Sequence, residues 1–298
     1  MRTPAFCLLI LSTAAFAQSE PTAKSGSEAT PTTKLKGLLV TGGCCHDYEK
    51  QKRIITEGLS QRLSISWDIV HEGGTGRKHK VSVYQKKGWA KQYDLIVHNE
   101  CFGAVKDDKF VASIAAAHHD GVPAIFIHCA LHSYRTAPVG AEAWRELIGV
   151  TSRSHEGKRA VLVKNAHKEH PVMAGFPAEW KSPNGELYKI EKVWPNCEPL
   201  ATAYGKDTQK NHPVIWVNKF GKARVFGTSL GHHNETMNNN VWLDLLARGA
   251  LYCVGKLDDS GKPRAGFEGT GVKPIVIKDE KPSPKPDPKF GNGKKKKK

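Results

Sequence analysis

Several short apolar runs in this chain each break off into a cluster of imidazoles, thiols and amides, and this repeated transition constrains the fold more than any other feature. Residues Pro123 to Ile127 run into His128, Cys129, His132, Tyr134 and Arg135. Leu38 to Val40 run into Gly42, Gly43, Cys44, Cys45 and His46, and Leu95 to Val97 into His98, Asn99, Glu100 and Cys101. Val225 and Phe226 lead to Ser229, His232, His233, Asn234 and Glu235. Apolar runs of this length, bounded by turn residues, read as buried strands. In an open α/β sheet ligands bind beyond the carboxyl ends of the strands, so these ends are expected to converge on one composite site.

The segments between them supply the helices. Residues 37–41 read as a strand and 49–63 as an amphipathic helix with Ile54, Ile55, Leu59 and Leu63 on one side. Strands at 65–70, 94–98 and 123–128 and a helix at 106–119 continue the alternation. The predicted fold is α/β: a doubly wound, mostly parallel sheet with helices on both faces. After His155 the pattern turns β-rich, with strands at 159–164, 186–193 and 199–203 and a hairpin of 212–217 with 223–228 across Asn218 to Lys222. A closing helix at 240–254 carries Val241, Leu245, Leu246 and Leu251. These later strands are expected to extend the same sheet.

Both ends differ from the body. Met1 and Arg2, the apolar stretch Phe6 to Leu11 and the Ala15-Phe16-Ala17 exit have the form of a signal peptide over residues 1–17. Cleavage after Ala17 would give a periplasmic or secreted protein. A polar linker follows at 18–33, then the α/β domain at 34–257. Residues 258–298, rich in Lys and Pro and closing on Lys294 to Lys298, read as a disordered tail with twelve Lys/Arg against six Asp/Glu. The net charge of +16 raises the question of nucleic acid. Export, interleaved acids in the body and the lack of any helix-turn-helix, zinc-finger or aromatic RNP pattern argue against it. The lysine tail fits contact with an anionic surface instead. Beyond residue 17 the chain keeps Cys44, Cys45, Cys101, Cys129, Cys197 and Cys253; a disulfide and a thiol-lined pocket are both compatible with their placement.

Thr41 to His46, Phe126-Ile127-His128, His155, Gly185-Glu186-Leu187-Tyr188 and the stretch Gly221 to His232 together resemble the ThuA-like family, named for trehalose utilisation, over about residues 36–255. The resemblance implies a class I glutamine amidotransferase-like, flavodoxin-like fold, a role in carbohydrate metabolism and, for some relatives, 3-keto sugar chemistry. Gly185 stands where the family usually has an acid, and Gly121-Val122-Pro123-Ala124 replaces a Gly-rich approach to the central His. In amidotransferases of this fold a nucleophilic Cys ends the central strand. Here His128 stands at that position and Cys129 one place on, where a one-residue shift turns the thiol away, so glutaminase chemistry is not expected.

The expected catalytic pair is His128 and Glu186, acting as acid/base groups on a small carbohydrate. His46, His132, Tyr134, Arg135, His155, Tyr188, His232 and His233 are expected substrate contacts, with Tyr188 on the same side of a strand as Glu186. His46, His128, His155 and His232 are also candidates to hold a divalent metal ion. His79, His118, His119 and His167 are assigned to structure. The competing reading is a non-catalytic carbohydrate-binding or scaffold domain with Trp194, Trp216 and Trp242 as stacking platforms. Asn234-Glu235-Thr236 is read as a site loop and not a glycosylation acceptor.

Overall fold

A computed structural model of the protein describes residues 33–277. The expected signal peptide, nearly all of the linker and the final residues 278–298 lie outside the described residues. The order of elements is β1 (Leu35–Gly43), α1 (Tyr48–Ser60), β2 (Ile65–His71), β3 (Leu95–Cys101), α2 (Asp108–His119), β4 (Ala124–Ile127), α3 (Gly140–Ile148) and β5 (Val150–His155). There follow β6 (Leu162–Asn165), β7 (Glu179–Lys181), β8 (Tyr188–Val193), β9 (Cys197–Gly205), β10 (Lys210–Phe220), β11 (Ala223–Thr228), α4 (Asn234–Met237) and α5 (Asn240–Cys253). Among the described residues no helix is long and apolar enough to cross a membrane.

Nine strands form one sheet in the order β2-β1-β3-β4-β11-β10-β9-β6-β7. The first five are parallel, in the doubly wound flavodoxin-type order, and β10, β9, β6 and β7 continue antiparallel. Strand alternation divides the side chains between two layers. Leu39, Leu95, Val97, Ile125 and Ile127 pack with Ile54, Ile55 and Leu59 of α1 and Trp242, Leu245 and Leu246 of α5. Leu38, Val40, Ile96 and Phe126 face the other way, onto Val111 and Ile114 of α2 and Trp144 and Leu147 of α3. Each helix start is fixed locally where a side chain caps it. Asp47, Asp107 and Asn239 accept from the free backbone N–H groups of Lys50, Phe110 and Val241.

Two expectations about architecture are corrected, and one segment comes in addition to them. The strand expected at 186–193 does not join the main sheet. Its residues Tyr188–Val193 pair with β5 as a separate antiparallel ribbon that sets His155 opposite Tyr188. The α3–β5 segment was not anticipated, because Gly140–Ile148 is short; its glycine stop, Gly149 at φ 96°, is the one local signal. Finally, residues 258–277 are not a solvated tail. Leu63 pairs with Glu268 and Leu257 with Pro263, while Phe267 and Ile275 are buried in the core. Apolar residues spaced widely among Lys, Gly and Pro show no periodicity, so composition alone misreads the segment.

Candidate active site

Strand β4 ends at Ile127, and the chain turns sharply at His128 into a 3-10 turn over His128–His132. His128 holds φ 45°, a left-handed conformation uncommon for a residue with a Cβ. A strained strand-to-turn junction is how α/β proteins push one side chain up over the sheet, and the residue at that junction is His128, not Cys129. Its Nδ1 lies 2.6 Å from the carbonyl oxygen of Ser229. A carbonyl can only accept, so Nδ1 carries the proton and Nε2 presents a lone pair. That Nε2 is buried, has no hydrogen-bond partner, and faces Glu186 Oε2 at 3.5 Å.

Two further imidazoles close on it. His46 arrives from the loop after β1, its ring centroid 4.9 Å from that of His128 and 4.6 Å from that of His232. His232 arrives from the loop after β11, 5.3 Å from His128. One ring nitrogen of each lies within 4.8 Å of the others. His46 turns its Nδ1 to the carbonyl oxygen of His232 at 3.3 Å, leaving Nε2 free as in His128. His46 and His128 thus each anchor one ring nitrogen on a carbonyl oxygen, as metal-binding histidines commonly do. Burial lowers all three: His46 to about 4, His232 to about 2, and His128 below its ordinary value. The imidazoles are therefore neutral near pH 7, as ligation requires. His233 lies beside them, its Nδ1 3.2 Å from that of His232.

Glu186 is the carboxylate of the site and is 8% exposed. It stands two residues before the ribbon strand β8, and the ribbon brings His155 to it, Nδ1 to Oε1 at 3.1 Å. His232 Nε2 stands 3.8 Å from the same oxygen. Burial raises the Glu186 carboxyl, but the surrounding imidazoles of His128, His155 and His46 outweigh it and leave it below the usual carboxylate value. The arrangement is an anionic base next to three lone-pair donors.

A family model for trehalose utilisation, ThuA, matches residues 46–253. The chain belongs to the ThuA family. A ThuA-like protein of Parabacteroides merdae is 20% identical, covering 78% of this chain and 92% of its own, with a TM-score of 0.57. One of Bacteroides uniformis is 17% identical, covering 80% and 99%, with a TM-score of 0.58. At such identities the two structures speak for the fold. No curated protein matches the chain. The expected doubly wound α/β fold, with further strands added in the C-terminal half, is the one observed.

In this ThuA protein the expected site residues separate into two groups. His46, His128, His155, Glu186, His232 and His233 come together. The set of mutually close ring nitrogens is His46, His128 and His232; His155, also expected as a ligand, contacts Glu186 instead. Tyr188 and His132 are wall, not contact surface. Tyr188 is 1% exposed, and its ring stacks flat on His132 at 4.1 Å and 6°. His132 Nε2 in turn is 3.1 Å from Ser152 Oγ. Strand alternation does not relate Glu186 to Tyr188, since β8 begins at Tyr188. Tyr134 is displaced altogether. It is fully buried with its hydroxyl 3.4 Å from Glu100 Oε1, because the 3-10 turn carries it back into the α2–α3 layer. Arg135 bonds the carbonyl of Arg153 at 3.4 Å. His98, at an expected strand end, is buried mid-strand, stacked on Phe126 and bonded to Glu100 and His118.

Two contributors went unread in the sequence. Gln51, 1% exposed on the inner face of α1, donates toward the carbonyls of Gly231 and His232 and accepts from Asn99. A polar residue one turn before Ile54 and Ile55 on an apolar face was the available signal. Lys158 is an exposed cation whose charge acts on His46, His232 and His233; nothing in its local sequence marks it. Asn234 donates to Asp47 Oδ2 at 3.0 Å, tying the two histidine loops together.

Proposed function

We propose that this ThuA-family protein performs proton-transfer chemistry on a sugar or 3-keto sugar, by isomerisation, elimination or hydration, with Glu186 as the general base. The observation that carries the reading is the facing of His128 Nε2 and Glu186 Oε2 at 3.5 Å, a lone pair against a carboxylate with no donor between them. Two acceptors this close are stable only with a cation or proton to share.

The donor set fits a divalent metal ion held by His46, His128 and His232, with Glu186 within reach. Nitrogen and oxygen donors of this kind suit zinc, iron, manganese or nickel. When bound, such an ion would supply positive charge at the sugar oxygen where negative charge develops. His128 then acts as a ligand, since one lone pair cannot both ligate and carry a proton. Glu186, held ionised, removes the proton beside the carbonyl. His155, 45% exposed at 3.1 Å from Glu186, passes that proton to solvent or back to substrate. Lys158 offers a charge for sugar hydroxyls at the rim.

The non-catalytic reading loses its support in the aromatics. Trp216 and Trp242 are 0% exposed, and the ring of Trp194 is covered by Lys192 Nζ at 3.4 Å. The deciding experiment is turnover of 3-keto-glucosides by the full chain before and after chelation, with divalent ions added back singly. Activity lost on chelation and restored by one ion supports the reading. Binding of sugar without turnover under every metal condition overturns it.

A further inference from the structure

We propose that the thiols of Cys44, Cys45 and Cys101, with Cys129 as fourth donor, form a second metal site, specific for a thiophilic ion of the zinc class and separate from the imidazole site. The site goes beyond the proton-transfer reading and does not rest on it.

The backbone brings these residues together from three adjacent strands. Cys44 and Cys45 follow the end of β1, Cys101 is the last residue of β3, and Cys129 stands two residues past the end of β4. The β1/β3 crevice is the point where the winding of the sheet reverses, the usual ligand position in this order of strands. Gly43 makes the approach possible. It holds φ 98°, and a Cβ there would meet the carbonyl oxygen of Cys101 at 2.4 Å. Cys45 itself holds φ 90°, a conformation unfavourable for any residue with a Cβ.

The spacing suits metal ligation. The sulfurs of Cys44, Cys45 and Cys101 all lie within 4.8 Å of one another, and Cys44 Sγ is 3.6 Å from Cys101 Sγ. Two sulfurs about 2.3 Å from one tetrahedral zinc stand about 3.8 Å apart. Cys129 packs in the same buried cluster as Cys101, with Cys44 against it. Three or four sulfur donors select zinc or copper(I) over magnesium, calcium or manganese. The ion would replace the thiol protons, which leave to solvent as it binds. The surroundings offer a counter-charge: Arg77 lies near Cys44, and its Nε is buried with no hydrogen-bond partner. Cys45, exposed at the edge, gives an ion a way in. Bound there, the ion would pin the ends of β1, β3 and β4, and with them the residues next in chain, His46 and His128.

The test uses the full chain, reduced, stripped with chelator and titrated with Co2+, whose thiolate complexes give a strong charge-transfer band in the near ultraviolet. We expect that band to appear and to be displaced by Zn2+. It should persist in His232→Ala and in the control Cys197→Ser, and fall several-fold in Cys45→Ser. Circular dichroism of Cys45→Ser checks the fold, and the exposed position makes its retention the expected result. The proposal is overturned by a band that survives in Cys45→Ser and Cys101→Ser, or by one lost in His232→Ala and kept in Cys45→Ser. A chain whose thiols all react freely with a thiol reagent while no band forms also overturns it. So does a non-reduced mass lighter by two hydrogens, which would mean the cysteines pair with each other instead.

Discussion

The Nδ1 of His128 lies 2.6 Å from the carbonyl oxygen of Ser229, so the loop after β11 dictates which nitrogen the central histidine turns to the cleft. The bond links two neighbouring strands, since β4 and β11 pair in parallel. It also relieves part of the cost of φ 45° at His128, a conformation that persists only where surroundings over-determine it.

His128→Asn separates these roles. Asparagine tolerates the left-handed conformation, and its side-chain amide can still donate toward Ser229, but it offers no second nitrogen. The variant is expected to fold with a melting temperature close to that of the parent, to lose the divalent ion of the imidazole site, and to lose turnover by roughly 10²-fold or more. Metal analysis beside a melting curve checks it. Full metal occupancy in the variant would remove His128 from the ligand set.

Acid should destabilise the protein before its carboxylates are protonated. Burial pushes His132 down to about 2, with the charge of Arg135 adding to the effect. Its unfolded value is near 6.5. Between these values the unfolded chain binds a proton that the folded one does not, so stability falls as pH falls from about 6.5 toward 2, by up to about 1.4 kcal/mol per pH unit for this one group. His46, held to about 4, adds the same sign from 6.5 down to about 4. Urea denaturation at a series of pH values should show a positive slope of stability with pH. His132→Gln should flatten it by about one proton. An unchanged slope in that variant would mean that His132 protonates in the folded state.

The strand ends were legible because the chemistry of a doubly wound sheet lies where apolar runs stop, and His46, His128 and His232 each follow such a stop. The ring partners were not. His132 and Tyr134 stand four and six residues after Ile127's neighbour His128, and only the 3-10 turn decides that one stacks on Tyr188 while the other returns to the core against Glu100. Sequence spacing carries no information on a turn of that kind. His98 misleads for a related reason. It looks like a strand end because Asn99 and Glu100 are polar, yet β3 continues to Cys101, and Asn99 and Glu100 Oε1 find partners inside the protein in Gln51, Tyr84 and His98 itself.

Truncation should separate the ordered C-terminal segment from a dispensable one. Phe267 and Ile275 are each 9% exposed and packed in the α1–α5 layer, and Ser64 and Thr33 donate to the carbonyls of Phe267 and Gly266. Burial of one such side chain is worth about 1.5–3 kcal/mol. A chain ending at Lys256 is therefore expected to lose a few kcal/mol in chemical denaturation, visible as a lower midpoint. An unchanged midpoint would show that residues 257–277 do not contribute to the core.

Glu186→Gln tests the base directly. The substitution keeps the shape of the side chain and removes only its charge and its ability to take a proton. Because Glu186 is ionised below the usual carboxylate range, the parent should remain active on the acid side until the histidines protonate. The variant should be slow at every pH, by roughly 10²–10⁴-fold, with near-parental stability. Tyr134→Phe is the matched control. Its hydroxyl makes one long bond to Glu100, which Tyr84 also serves at 2.8 Å, so the loss is expected to cost about 1 kcal/mol or less and to leave turnover unchanged. Parental rates in Glu186→Gln, or a Tyr134→Phe variant as slow as it, would move the base elsewhere and return Tyr134 to the chemistry.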